Sequence, residues 1–175
     1  MQGIERVDTD RWRVYRDLRL AALRDAPQAF GARLEIERGR DESDWRERLA
    51  SRTQFVALGD GGRPVGTVGA RQESEEETEL VSMWVAPEVR GIGVADQLVA
   101  AVIDEARACG SVRVLLWVSD GNDRAERLYA RSGFVRTGRT EPLDDDIPSA
   151  GASSRCRSRS DPEGPTAALR FAPPK

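Results

Sequence analysis

No histidine occurs among the 175 residues. That absence removes Ser-His-Asp and Cys-His nucleophile systems, helical His-Glu-x-x-His zinc chemistry and an imidazole general base. The one lysine, Lys175, lies outside any glycine-rich loop. The two cysteines, Cys109 and Cys156, have neither metal-ligand spacing nor a disulfide framework, so no metal site is expected. No run approaches the roughly 18 consecutive apolar residues of a membrane span, and the N-terminus lacks a signal-peptide pattern. The expectation is therefore a soluble, cytoplasmic protein with no membrane partner. A net charge of −3 with 33% charged residues leaves no basic footprint for nucleic acid. The length suits one domain with a real core.

What the chain does have is a glycine pair in a telling place. Val85-Ala-Pro-Glu-Val-Arg90-Gly91-Ile92-Gly93-Val94-Ala95 runs from an apolar strand through a turn into an amphipathic helix. Glycine at 91 and 93 lets a ligand approach the backbone, and the first-turn amides of the helix converge on one point that suits a pyrophosphate. Two common nucleotide readings fail here. The sixth position of a dinucleotide fingerprint counted from Gly91 is Asp96, where a small residue is required. A P-loop requires the lysine that this loop does not contain.

A second block follows the strand Val112–Val118. It reads Asn122-Asp-Arg-Ala125-Glu-Arg-Leu128-Tyr129-Ala-Arg-Ser-Gly133-Phe134. Asn122 or Asp120 can cap a helix, Ala125, Leu128 and Tyr129 share one face, and Gly133 can end it. Arg90-x-x-Gly93-x-Ala95 and Asn122-x-x-Ala125-x-x-Leu128-Tyr129-x-x-x-Gly133-Phe134 together resemble the two motif blocks of the Gcn5-related N-acetyltransferase (GNAT) superfamily. The resemblance covers roughly Ile4 to Glu141. It implies the acyl-CoA N-acyltransferase fold, an α/β (α+β) arrangement with a mixed, mostly antiparallel central sheet flanked by helices.

The local patterns are compatible with that order. Ile4–Val7 reads as a strand, and a helix capped by Asp10 carries Trp12, Tyr15, Leu18, Ala22 and Leu23 to Pro27. A second helix begins at Asp41 or Ser43. Gln54–Leu58 and Val65–Ala70 read as a hairpin joined by Gly59–Arg63, followed by an acidic loop, Ser74–Thr78, and a strand, Leu80–Val85. A helix over about Gly93–Cys109, the Val112–Val118 strand, the Asn122 helix and a strand Val135–Arg139 complete it. The domain is placed at 1–143. Residues 144–175 are rich in Ser, Arg and Pro and read as a flexible tail, with 166–171 as the candidate closing strand. A flexible insertion and an altered reading frame both account for such a composition.

The resemblance also implies chemistry. Acetyl-CoA would be the co-substrate, its pyrophosphate held by the backbone of Arg90, Gly91, Ile92, Gly93, Val94 and Ala95. Arg90 either adds charge or pins the loop. Asp96 is expected to face solvent and complement the helix dipole. A bulge at Met83, Trp84 and Val85 would free amides for the pantetheine arm and the thioester carbonyl. Asn122, Ala125 and Tyr129 would border the cofactor, and the Tyr129 hydroxyl would protonate the departing thiolate. From spacing alone, Tyr129 is an ordinary core aromatic with a wet tip. Glu79 lies where histone-acetylating members carry a base; it also reads as a solvated carboxylate ending an acidic run. Glu35 and Glu37 could line an acceptor pocket and suit a cationic amine. The reading is direct acetyl transfer to a primary amine of a small molecule or peptide, with a non-catalytic acyl-CoA-binding module as the alternative. A homodimer is left open.

Overall fold

Nearly continuous burial along the central strands and one-sided burial along the helices produce a single sheet with helices packed against both faces. The structure, a computed structural model, describes residues 3–30, 32–142 and 154–158. In chain order the elements are β1 (Gly3–Val7), α1 (Trp12–Asp25), α2 (Leu34–Arg38), α3 (Glu42–Ala50), β2 (Thr53–Leu58), β3 (Pro64–Gln72), β4 (Glu77–Val85), α4 (Val94–Ala108), β5 (Arg113–Ser119), α5 (Asp123–Arg131), β6 (Arg139–Pro142) and β7 (Ser154–Ser158). The sheet order is β1-β2-β3-β4-β5-β7-β6. Every pairing is antiparallel except β4 with β5, which is parallel. The fold is thus mixed α/β with a mostly antiparallel sheet.

Alternation assigns the two faces. Gly66 is a glycine where α4 comes down on the sheet, since a Cβ there would lie 3.1 Å from Leu98 Cδ1. Val68 and Ala70 share that face, and Thr67, Gly69 and Arg71 point the other way. The buried stripe Val94, Leu98, Val99, Val102 and Ala106 of α4 completes the first layer. On the other side α1 buries Tyr15, whose ring meets Trp45 of α3 edge-on at 5.7 Å. A reciprocal capping box between Asp41 and Asp44 starts α3. No helix among the described residues is long and apolar enough to cross a membrane.

The structure departs from the sequence pattern at four places. Strand β4 begins at Glu77 inside the expected acidic loop, because Glu77–Leu80 pair with Arg113–Leu116 of β5. The expected strand Val135–Arg139 is displaced to β6. Gly138 at φ 73° breaks the extended run, and Thr137 Oγ1 accepts from the Arg139 amide at 3.2 Å. Within the stretch read as a tail, β7 pairs with β5 and β6; the candidate strand at 166–171 lies outside the described residues. Finally, Glu37 belongs to a short helix that sequence patterning does not reveal, and it faces the core.

Glu37 is 2% exposed. Arg48 binds both its oxygens, at 2.8 and 3.1 Å, with Arg40 at 3.6 Å and Arg19 at 3.9 Å. Burial pushes its carboxyl pKa up, but the hydrogen bonds and charge of Arg48, with the charges of Arg19 and Arg40, outweigh that and lower it. Its stabilising effect is therefore complete above the ordinary value of 4.5 and is lost as pH falls through the lower folded value. Urea midpoints at pH 7 and pH 3.5 should fall more steeply for the native chain than for Glu37→Gln. Equal slopes would remove Glu37 from acid sensitivity.

Candidate active site

Parallel pairing between β4 and β5 stops at Leu80 and Leu116. Beyond that point β5 pairs with β7 through Leu116–Ser119, while among the described residues β4 keeps only β3. The two strands splay, and backbone groups on one edge of Val81–Val85 face a gap rather than a neighbour. A bulge widens it. Between the pairs Gly69 with Val81 and Thr67 with Trp84, β3 supplies Val68 where β4 has Ser82 and Met83. Ser82 takes φ 55°, the only positive φ outside glycine among the described residues. That is a strained left-handed conformation for a side-chain-bearing residue. The bulge thus precedes the expected Met83–Val85 stretch by about one residue.

A cleft of about 640 Å³ fills this gap, walled by Met83, Trp84 and Val85 on β4, Asn122, Ala125 and Leu128 on α5, and the glycine-rich loop. Gly91 and Gly93 hold φ 84° and 88°, and Gly93 is the N-cap of α4. Among the described residues, no backbone carbonyl accepts from the amides of Gly91 through Ala95. The side chain of Ile92 is exposed and that of Val94 is buried in the core, so these two residues offer only their backbone.

Arg90 pins the loop rather than projecting into it. Its Nε donates to the Val85 carbonyl at 2.8 Å, and its Nη2 donates to Asp25. Asp25 also accepts from Trp84 Nε1 at 2.9 Å, so one carboxylate at the end of α1 ties strand, loop and helix together. Desolvation raises the Asp25 pKa, but these two hydrogen bonds and the Arg90 charge bring it below the ordinary value. Sequence reading missed Asp25 because only the fold brings it to partners 59 and 65 positions away. Asp96 faces solvent in the first turn of α4, as expected, and is also held by an ion pair. Arg131 binds it in a fork at 2.6 and 2.9 Å, lowering its pKa and bracing α4 against α5 at the cleft mouth. Arg124, also overlooked in the sequence, lines the cleft with no carboxylate within 4.0 Å among the described residues.

Asn122 caps α5, its Oδ1 accepting from the Ala125 amide at 3.1 Å. The helix ends in a Schellman motif. Gly133 at φ 87° donates to Ala130 O, and Phe134 donates to Tyr129 O at 2.9 Å. The accompanying apolar contact is Phe134 against Tyr129, rings 5.6 Å apart and edge-on. The cap therefore fixes the Tyr129 ring. Its hydroxyl has no hydrogen-bond partner among the described residues, and burial raises its pKa.

Behind the bulge lies a second chamber of about 350 Å³ that shares Met83, Asn122 and Leu128 with the cleft. Tyr129 and Glu79 line it. Glu79 is 4% exposed and binds Arg71 across the β3–β4 pair. Glu35 and Glu37 do not line either space: Glu35 is exposed and Glu37 is locked to Arg48. Among the described residues no group of three or more acidic, Cys or His side chains could hold a metal.

An uncharacterized N-acetyltransferase of Mycobacterium tuberculosis is 35% identical over 77 residues, 44% of this chain and 49% of that protein. A mycothiol acetyltransferase of Corynebacterium glutamicum is 35% identical over 83 residues, 47% of this chain and 28% of that protein. The chain thus spans about half or less of the length of these curated relatives. Among solved structures, a Salmonella typhimurium protein holding acetyl-CoA as its cofactor superposes with a TM-score of 0.70 at 19% identity, covering 99% of this chain and 97% of the other. A GNAT-family acetyltransferase from Streptococcus pneumoniae gives 0.71 at 18%, covering 88% and 95%. At such identities they establish the fold. The acetyltransferase (GNAT) family matches residues 15–134, more than half of the sequence, and the chain belongs to that family.

Proposed function

We propose that this chain moves the acetyl group of acetyl-CoA to a primary amine of a small molecule or peptide, by direct transfer with both substrates bound together. The observation that carries the reading is the row of unpartnered amides from Gly91 to Ala95. It opens on a gap that leads past the Ser82–Met83 bulge to Tyr129.

That row fits a pyrophosphate, because several N–H groups and the positive end of the α4 dipole meet where two glycines leave the surface bare. Arg124 supplies a full positive charge on the same wall. A bound thioester brings an acyl carbon already activated toward amines. The chain's own groups position it and move protons. Backbone amides along Met83–Val85 border the gap and are assigned to the carbonyl oxygen. Tyr129 Oη gives its proton to the sulfur as the amine nitrogen bonds to the acyl carbon and the C–S bond breaks. The proton that the amine sheds passes through water to Glu79 and thence to solvent, from which the phenol is reprotonated. In balance, one N–H and one C–S bond are exchanged for one C–N and one S–H bond.

Acetyl-CoA incubated with a panel of primary amines should release free thiol only when a suitable amine is present, with one acetyl group gained by that amine on mass spectrometry. Acetyl-CoA binding with no amine-dependent thiol release would leave a binding module. Acetyl retained on the protein after acid quench would overturn direct transfer.

A further inference from the structure

The chamber behind the bulge is strongly cationic. Arg19, Arg52 and Arg71 line it against one carboxylate, Glu79. Arg71 is already matched, since it binds both Glu79 and Glu73. Arg19 and Arg52 are not. Arg19 is 8% exposed, and its Nε makes no hydrogen bond; among the described residues its only carboxylate neighbour is Glu37 at 3.9 Å, whose two oxygens are already bound by Arg48. The Arg19 guanidinium instead stacks 4.9 Å from the Phe30 ring, and Phe30 walls both the chamber and the cleft. Arg52 donates to the Tyr15 hydroxyl and stacks on that ring, again with an unpartnered Nε and no carboxylate within 4.0 Å among the described residues. Gly69 leaves room for its stem, as a Cβ there would lie 3.3 Å from Arg52 Cδ.

Buried guanidinium groups remain charged, and a charge out of water without a counter-charge is costly. Desolvation lowers the pKa of both arginines, as expected of cations short of counter-charge. Planar forks of this kind match a carboxylate or phosphonate. We infer that Arg19 and Arg52 form an anion subsite for the acceptor, so the preferred substrate is an amine that also carries a carboxylate or a similar anionic group, as an α-amino acid does. This rests on the acetyltransferase reading above. It reverses the acidic pocket expected from Glu35 and Glu37.

The test uses the full chain and sets of three acceptors: each L-α-amino acid, its carboxamide and its decarboxylated amine. Thiol release gives kcat/KM, and titration calorimetry follows acetyl-CoA binding separately. At least one acid should exceed both its neutral counterparts by roughly 30- to 100-fold, since a site built for a charged group rejects the analogue lacking it. Arg52→Gln should erase that preference by raising KM for the acid, with kcat on the decarboxylated amine and acetyl-CoA affinity within about twofold. Arg19→Lys, which keeps the charge and loses the fork, should erase part of it. Neutral amines preferred, no acid acetylated while acetyl-CoA binds, or Arg52→Gln slowing all three acceptors alike would each overturn the inference. Failure of acetyl-CoA to bind the native chain would instead overturn the reading beneath it.

Discussion

Replacing Tyr129 by Phe is expected to lower kcat by roughly 10²- to 10³-fold, within the range that a positioned proton donor contributes. KM for acetyl-CoA should stay within about twofold. The asymmetry follows from where the ring is and what the hydroxyl does. The ring is packed on Phe134 through the Schellman turn at Gly133, contacts that phenylalanine keeps. The hydroxyl makes no hydrogen bond to a described residue. Removing it therefore costs little folding free energy and exchanges no binding contact for a void. What disappears is the proton available to the leaving sulfur. Burial keeps that proton in place beyond the ordinary phenol value of 10, so the native kcat profile should show no descending limb from Tyr129 below pH 10. Single-turnover thiol release separates chemistry from product release. An unchanged single-turnover rate in Tyr129→Phe would sink the proton-donor role and leave water as the donor.

Tyr129 also shows how legible this site is from sequence. Its placement depends on local signals: an Asn cap, helical spacing, and a glycine that ends the helix with an apolar contact across the turn. All of these lie within 13 residues of one another in the chain, and each has one physical meaning. The glycine-rich loop is legible for the same reason. Asp25, Arg131 and the arginine pair behind the bulge are not, because their meaning lies in partners that only the fold supplies. A carboxylate before a proline, or an arginine at the end of a helix, is solvated surface until another element arrives. Glu37 is the converse case. A charge in an unpatterned connection looks like surface, yet three arginines and a short helix bury it. The displaced last strand fails differently. Val135–Arg139 has strand-like composition, but Gly138 and the pairing available from β7 decide where extension begins.

The second large effect is expected at Gly93, where substitution by Val should weaken coenzyme A binding by roughly 10²- to 10³-fold. The space around Gly93 is open: a Cβ there meets nothing within 4 Å. Crowding against the protein's own atoms therefore cannot be the cause; what changes is the backbone, together with the bare surface that the ligand approaches. At φ 88° a β-branched residue is disfavoured by at least about 1–2 kcal/mol. The simplest relief rotates the peptide planes on either side. That rotation re-aims the Gly93, Val94 and Ala95 amides, and each hydrogen bond to a charged phosphate lost is worth about 1.5–3 kcal/mol. A total near 3–4 kcal/mol corresponds to the stated loss in affinity. Gly61 provides the control. It sits at φ 69° in the turn before β3, again with nothing within 4 Å of a Cβ, and it lies outside the cleft. Gly61→Val should lose comparable thermal stability while binding coenzyme A like the native chain, by calorimetry. If Gly61→Val weakens binding as much, the loss is one of global stability. If neither does, the amides of this loop are not what holds the pyrophosphate, and the reading of the cradle falls with them.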